Sequence, residues 1–256
     1  MKSNFSNQIR LNPEGEIIQP LKLDGDQQMA LDVFLLEELI TKSNFSMAAR
    51  FYQWNGAWLS LGSNQKNIPK RWIELAKINK LKIVKRPSGG GAVLHSGGLT
   101  YSLFWQCPPK KKKEAYLKVN EWLIESFSSM YLPLRFGNNP ADRIFKNCFS
   151  TATSADLIDE DGFKRIGSAQ YWQKGSLLQH GEIILSPPES LWIDIFKTDP
   201  PKKQSLDFDV SQLEKSLINS LKKYWPKTNW KERSLNQEEI SQVLLKSKDY
   251  SFEINY

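Results

Sequence analysis

Residues 86–98 read Arg-Pro-Ser-Gly-Gly-Gly-Ala-Val-Leu-His-Ser-Gly-Gly and hold five of the chain's 14 glycines. Their C-terminal neighbours constrain the fold more than the glycines do. Leu99, Tyr101, Leu103 and Trp105 alternate with Thr100, Ser102 and Phe104, so the loop runs into a strand. A dinucleotide loop needs the G-x-G-x-x-G spacing and a helix behind it. Neither is present, and a doubly wound parallel sheet is set aside.

The rest of the chain supports a different architecture. DGDQQMALDVFLLEELI, from Asp24, reads as an amphipathic helix with Met29, Val33, Leu36 and Ile40 in one stripe and Asp24 or Asp26 as N-cap. RFYQWNGAWLSLG reads as a hairpin turning at Asn55-Gly56. PKRWIELAKINK is a short helix with Pro69 near its first turn, and LKIVKR is a strand entering the glycine loop. The lysine run Lys110–Lys113 precedes a helix of about 18 residues. NCFSTATSADLI and FKRIGSAQYW flank a second hairpin signal at residues 159–162, and LLQHGEIIL is a further strand. PPESLWIDIFK is helical after its prolines. Residues 1–23 read as an extended polar lead-in. The tail carries two helical patterns, 210–225 and about 236–248, with no further strong strand expected before the end. Hairpins outnumber βαβ alternation, which predicts an α+β fold: a mixed, mostly antiparallel sheet flanked by helices.

Charge and hydropathy narrow the function classes. The net charge is +7 and the sequence pI is about 9.2, so an anionic partner is favoured: an acidic protein, a nucleotide or a nucleic acid. Mean hydropathy is −0.50, and no apolar run is long enough to span a bilayer. The first twenty residues lack an apolar segment of the secretory type. Cys107 and Cys148 make neither a disulfide framework nor a zinc spacing, so no metal site and a reducing, cytoplasmic setting are expected.

Three stretches concentrate residues able to do chemistry. Gly89, Gly90 and Gly91 let the backbone take positive φ and approach a ligand, with amides cradling an oxygen. The same glycines would also serve a tight turn between strands. Arg86 adds charge upstream. His95 and His180, the only histidines, each lie beside glycines; lining a pocket and packing within a strand are both open to them. In FKRIGSAQYW the small residues Gly167, Ser168 and Ala169 leave room for a ligand along the strand. Lys164 either aims its ammonium at that ligand or is a solvated strand lysine.

These residues carry a resemblance. KRPSGGGAVLHSGGLTYSL resembles the glycine-loop motif of the biotin/lipoate protein ligase and octanoyltransferase superfamily. KRIGSAQYWQKGSLLQHGEIIL resembles its second motif, a lysine followed by glycine-serine-alanine. Arg50–Lys66 resembles the hairpin that precedes the loop. The resemblance implies a fold like the class II aminoacyl-tRNA synthetase and biotin synthetase cores, and a tunnel for a medium-chain acyl group. It implies Ala92 and Arg50 as substrate-binding residues beside Arg86, Gly89, Gly90, Gly91, His95, Gly167, Ser168, Ala169 and His180. A single catalytic domain over residues 1–256 is expected, with a core at about 24–200 and a helical extension at about 205–256.

The superfamily divides by chemistry. Ligases activate free lipoate with ATP and magnesium. Octanoyltransferases pass octanoate through a cysteine thioester and need no cofactor. Cys148 stands sixteen positions before Lys164, which resembles the lipM-type octanoyltransferases, where a nucleophilic cysteine-phenylalanine pair occupies that place. A small buried core residue is the other reading of a lone cysteine. The polar surroundings Ser150, Thr151, Thr153 and Ser154 favour the nucleophile, and a nearby ammonium would lower its pKa. Cys107 is read as structural. The chain departs from ligases in having Ser96 where an aspartate is usual and Lys85-Arg86-Pro87 in place of an arginine run.

The expected activity is therefore octanoyl-[acyl carrier protein]:protein N-octanoyltransferase, with Cys148 and Lys164 catalytic. The donor would be octanoyl-acyl carrier protein. The acceptor would be a lipoyl domain of a 2-oxoacid dehydrogenase E2 subunit or the glycine cleavage H protein. Lys110–Lys113 would help steer these acidic partners. An ATP-dependent lipoate–protein ligase, a carrier-to-carrier acyl relay and a basic nucleic-acid-binding module are the alternatives. Core-like alternation of the aromatics counts against the last of these.

Overall fold

The computed structural model describes residues 13–42, 45–137, 156–201 and 209–253. The strands are β1 (Glu14–Ile18), β2 (Phe45–Tyr52), β3 (Trp58–Leu61), β4 (Lys82–Lys85), β5 (Val93–His95), β6 (Gly98–Trp105), β7 (Arg135–Phe136), β8 (Leu157–Ile158), β9 (Lys164–Gln173), β10 (Ser176–Ile184) and β11 (Asn229–Arg233). The helices are α1 (Gly25–Thr41), α2 (Lys70–Lys77), α3 (Lys112–Ser128), α4 (Glu189–Phe196), α5 (Val210–Tyr224) and α6 (Gln237–Lys246). An eight-stranded sheet has the order β11-β1-β2-β6-β10-β9-β8-β7, and a three-stranded sheet has the order β4-β3-β5. In the large sheet the pairs β11/β1 and β1/β2 are parallel, and the remaining five are antiparallel. This is the mixed, mostly antiparallel sheet expected.

The helices follow local signals. Asp24 caps α1, and its backbone N–H donates to Gln27 Oε1 at 3.0 Å. Pro69 stands before the first residue of α2. Helix α1 buries 11 of its 17 residues, including Met29, Val33 and Leu36 of the expected stripe. It lies on one face of the large sheet, packing Ala30, Leu31, Phe34 and Leu36 on Ala48, Phe104 and Leu178. Helices α3 and α5 cover the other face, packing Trp122, Leu123, Phe127 and Leu217 on Phe51, Leu99, Leu103 and Ile183. Helices α2 and α4 pack Trp72 and Trp192 against the small sheet.

Three expectations are corrected. The stretch Arg50–Gly62 is not a hairpin: β2 joins the large sheet beside β6, and β3 joins the small sheet between β4 and β5. Asn55-Gly56 turns the chain from one sheet to the other, with Gly56 at φ 87°. The polar lead-in contains a strand, β1, whose Ile17 and Ile18 are buried. The tail also contains a strand, β11, lying parallel to β1 at the sheet edge in the register Glu16↔Lys231. The hairpin at residues 159–162 holds. Gly162 has φ 84°, and Asp159 N–H donates to Phe163 O at 3.0 Å.

Candidate active site

The glycine loop joins β4 to β5 and is pressed against the turn after β3. A Cβ on Gly62 would lie 2.0 Å from Gly90 O, so only glycine permits that approach. Gly90 has φ 93°, a region L side chains rarely adopt. Arg86 ties the loop together. Its Nη2 donates to Gly89 O and Gly91 O, both at 2.7 Å, and its Nη1 donates to Ser60 O at 2.9 Å. Ser88, next in the loop, reaches the large sheet: its Oγ lies 2.5 Å from His180 Nε2.

Behind His180 stands a buried charge network. His180 Nδ1 is 2.9 Å from Asp32 Oδ2. Asp32 Oδ1 lies 3.0 Å from Arg50 Nε, out of hydrogen-bond alignment, and Arg50 Nη2 donates to Gln28 Oε1 at 2.7 Å. Gln28 and Asp32 are one helical turn apart on α1, and both are fully buried. Burial alone would raise the Asp32 carboxyl; the Arg50 guanidinium and His180 outweigh it and hold the group below its ordinary value. A buried pair of this kind persists because each charge is partnered.

His95 heads a second network. Its Nε2 is 2.8 Å from Ser60 Oγ, and its Nδ1 is 2.8 Å from Glu182 Oε2. Thr100 Oγ1 donates to the same Glu182 oxygen. Trp54 stacks on the imidazole with ring centroids 4.0 Å apart and donates its indole N–H to Thr100 Oγ1 at 2.7 Å. Burial lowers the His95 pKa, Glu182 acts against this, and the result stays below the ordinary 6.5. A cavity of about 280 Å³ opens beside it, lined by Trp54, Ala57, His95, Gly98 and Glu182 among others. The glycine triplet does not border this cavity.

The register of β9 against β10 sorts the second motif. Gly167 lies opposite Glu182, Ser168 opposite Gly181, and Ala169 opposite His180. Alternation puts Gly167 and Ala169 on the α1 side with the loop, and Ser168 on the α3 side. There Tyr101 Oη is 2.7 Å from Ser168 Oγ, and Tyr116 donates to Ser168 O at 3.1 Å. Lys164 lies four residues before Ser168, past a register shift between β8 and β9 that interrupts the alternation. Its Nζ is 2.8 Å from Asp156 Oδ1, and both side chains are buried. Cys148 lies outside the described residues.

The structure thus gathers Arg50, Arg86, Gly89–Gly91, His95, His180, Gly167 and Ala169 on one side of the sheet. Ala92, just past the triplet, is buried. Sequence reasoning missed Asp32, Ser88, Glu182 and Asp156. Asp32 was legible as the one acid inside the otherwise apolar run Met29–Leu36. The partnerships of the other three were not, because they span 8 to 92 residues. Among the described residues, no group of three His, Cys, Asp or Glu side chains is arranged to hold a metal ion, and no helix is long and apolar enough to cross a membrane.

The fold is that of the lipoate–protein ligases. A lipoate-protein ligase A bound with ATP superposes with TM-score 0.75 over 92% of this chain and 94% of that one, at 16% identity. A bipartite lipoate protein ligase from Thermoplasma acidophilum, solved in work that includes its E2 lipoyl domain, gives 0.72 over 92% of each chain at 17% identity. Residues 24–191 match the family model of the lipoyl protein ligase A/B catalytic domain, and the chain belongs to that family. It is 35% identical over 184 residues to the octanoyltransferase LipM of Geobacillus kaustophilus, covering 66% of this chain and 64% of that protein. It is 34% identical over 192 residues to the LipM of Bacillus subtilis, covering 67% of each. The chain thus spans about two-thirds of the length of these relatives.

Proposed function

We propose that this protein is an octanoyltransferase that takes octanoate from acyl carrier protein and passes it to a lysine of a lipoyl domain. The observation that carries the reading is a buried ammonium at the head of the small-residue strand: Lys164, held at 2.8 Å by Asp156, in a chain 33–35% identical to octanoyltransferases named LipM. The Cys148 thiolate attacks the thioester carbonyl, and the carrier thiol leaves. Lys164 and loop amides stabilise the oxyanion. The acceptor ε-amine then attacks the Cys148 acyl group, regenerating the thiol. No cofactor enters these steps. The acceptor fits the association of a structural relative with an E2 lipoyl domain, and the positive net charge suits acidic carrier proteins. On this reading the catalytic domain comprises the whole chain and works in the cytoplasm.

Intact mass spectrometry after mixing with octanoyl-acyl carrier protein tests this reading. An octanoyl adduct should form, and it should be absent from Cys148→Ser. That variant should lose transfer to background with its thermal midpoint near the parent's, because a serine without a general base is a poor nucleophile. Lys164→Ala should slow adduct formation by about 10²–10³-fold. Lipoyl-domain modification that requires free acid and ATP, with Cys148→Ser at near-parent rate, overturns the transferase and establishes a ligase.

A further inference from the structure

We infer that Arg86 is a positioning residue that sets the direction of the glycine-loop amides without touching the acyl substrate. In a planar trans peptide the C=O and the next residue's N–H point to opposite sides. Arg86 Nη2 draws Gly89 O and Gly91 O to one point, each at 2.7 Å. The N–H groups of Gly90 and Ala92 are thereby turned away from Arg86. One guanidinium fixes the orientation of two peptide planes, Gly89–Gly90 and Gly91–Ala92.

The guanidinium is itself fixed. Its Nη1 donates to Ser60 O at 2.9 Å and lies 3.2 Å from Ser60 Oγ, and Ser60 Oγ is held by His95 Nε2 at 2.8 Å. Arg86 is 6% exposed, so its charged end is spent on the loop and not offered to solvent. The loop packs closely on the turn after β3, where a Cβ on Gly62 would lie 2.0 Å from Gly90 O. It cannot slide along the sheet, because Ser88 is fastened to His180. A planar fork with several donors suits this task. An ammonium supplies a point charge without the fork.

The inference rests on the transferase reading, in which loop amides bind the acyl carbonyl oxygen. It is tested with Arg86→Lys and Arg86→Gln in the full chain, using octanoyl-acyl carrier protein as donor. For Arg86→Lys we expect kcat to fall about 10²-fold, the usual effect of one misplaced oxyanion donor. KM should change by less than about three-fold, and the rate of Cys148 alkylation by iodoacetamide should match the parent. Arg86→Gln, with donors for one carbonyl, should behave alike. A rise in KM with kcat retained means that Arg86 touches the substrate and overturns the inference, as does an unchanged kcat. Should both variants fail to fold, the parent decides: on octanoylation the amide resonances of Gly90 and Ala92 should shift most within the loop, and unmoved resonances overturn the inference. If the parent forms no octanoyl adduct, the transferase reading falls by itself, and the same kcat-against-KM split is read in lipoate ligation with ATP.

Discussion

The two faces of β6 and β10 are cut from the same strands and are equally dry, yet they are held by different forces. Leu99, Leu103 and Ile183 face α3 and α5 and pack among aromatic and aliphatic side chains. Thr100, Ser102, His180 and Glu182 are their immediate neighbours, also 5% exposed or less, but face α1 and the glycine loop. On the first side stability is a sum of many small contacts, and losing one methyl costs its own contacts and the small cavity it leaves. On the second side Thr100, His180 and Glu182 each depend on a particular partner, and removing one strands another. The α1 side is therefore rigid by mutual dependence, a suitable setting for a loop whose amide directions matter. Even the α3 side turns polar near β9, where Gln179 joins Tyr101 to Asn120 and Tyr101 meets Ser168.

The sharpest break in this comparison comes from Asp32→Asn. It leaves the Arg50 guanidinium buried without its carboxylate and loosens His180, the anchor of Ser88. A loss of about 3–5 kcal/mol is expected, read from the urea midpoint at constant m-value, together with reduced acyl transfer by the molecules that remain folded. A smaller effect is expected on the opposite face. Ile183→Val should cost about 0.5–1.5 kcal/mol and leave transfer per folded molecule at the parent level. Equal losses from the two changes, or an activity defect confined to Ile183→Val, would dissolve the distinction between the faces.

The mildest probe is pH. His95 has a folded pKa below the ordinary 6.5, so the unfolded chain takes up the proton first on acidification. Its contribution is present above about 6.5 and is lost as pH falls below that value. The depressed Asp32 carboxyl acts in the same direction at lower pH, its contribution present above the ordinary 3.8 and lost as pH falls through the folded value. The thermal midpoint should decline on going from pH 7 to pH 5, and His95→Gln should flatten that decline. A midpoint that rises over this interval, or a slope indifferent to His95→Gln, would show that His95 does not set the acid limb.

Much of the layout was legible in the chain. The capped start of α1, the proline before α2, the alternation of β6 and the turn at 159–162 are all signals spanning a few residues. The glycine loop was legible as a place where the backbone takes positive φ, as Gly90 does; its packing on Gly62 was not. The site was legible only in part: the histidines could be picked out, but not what they hold. Glu182 sits 87 positions from His95, and Asp32 lies 148 from His180. No local pattern joins such pairs. Arg86 was read as a residue for the substrate, because its use on the loop's own carbonyls depends on how the loop folds back.

The sequence by itself determined where helices begin, which stretches alternate and where the chain must turn, because capping, side-chain period and positive φ are settled within four or five residues of each other. It did not determine which strands meet. EGEII and NWKER are short, charged and weakly alternating, and they become strands only because each lends the other a parallel ladder at the sheet edge. Arg50–Gly62 carries the signature of a hairpin, yet its halves pair with β6 and with β4 and β5. The backbone of either half can bond equally well to many neighbours, and burial of Phe51 on the large sheet and Leu59 in the small one selects among them. That selection is made by the packed whole, where hydrophobic area and hydrogen-bond satisfaction are decided together.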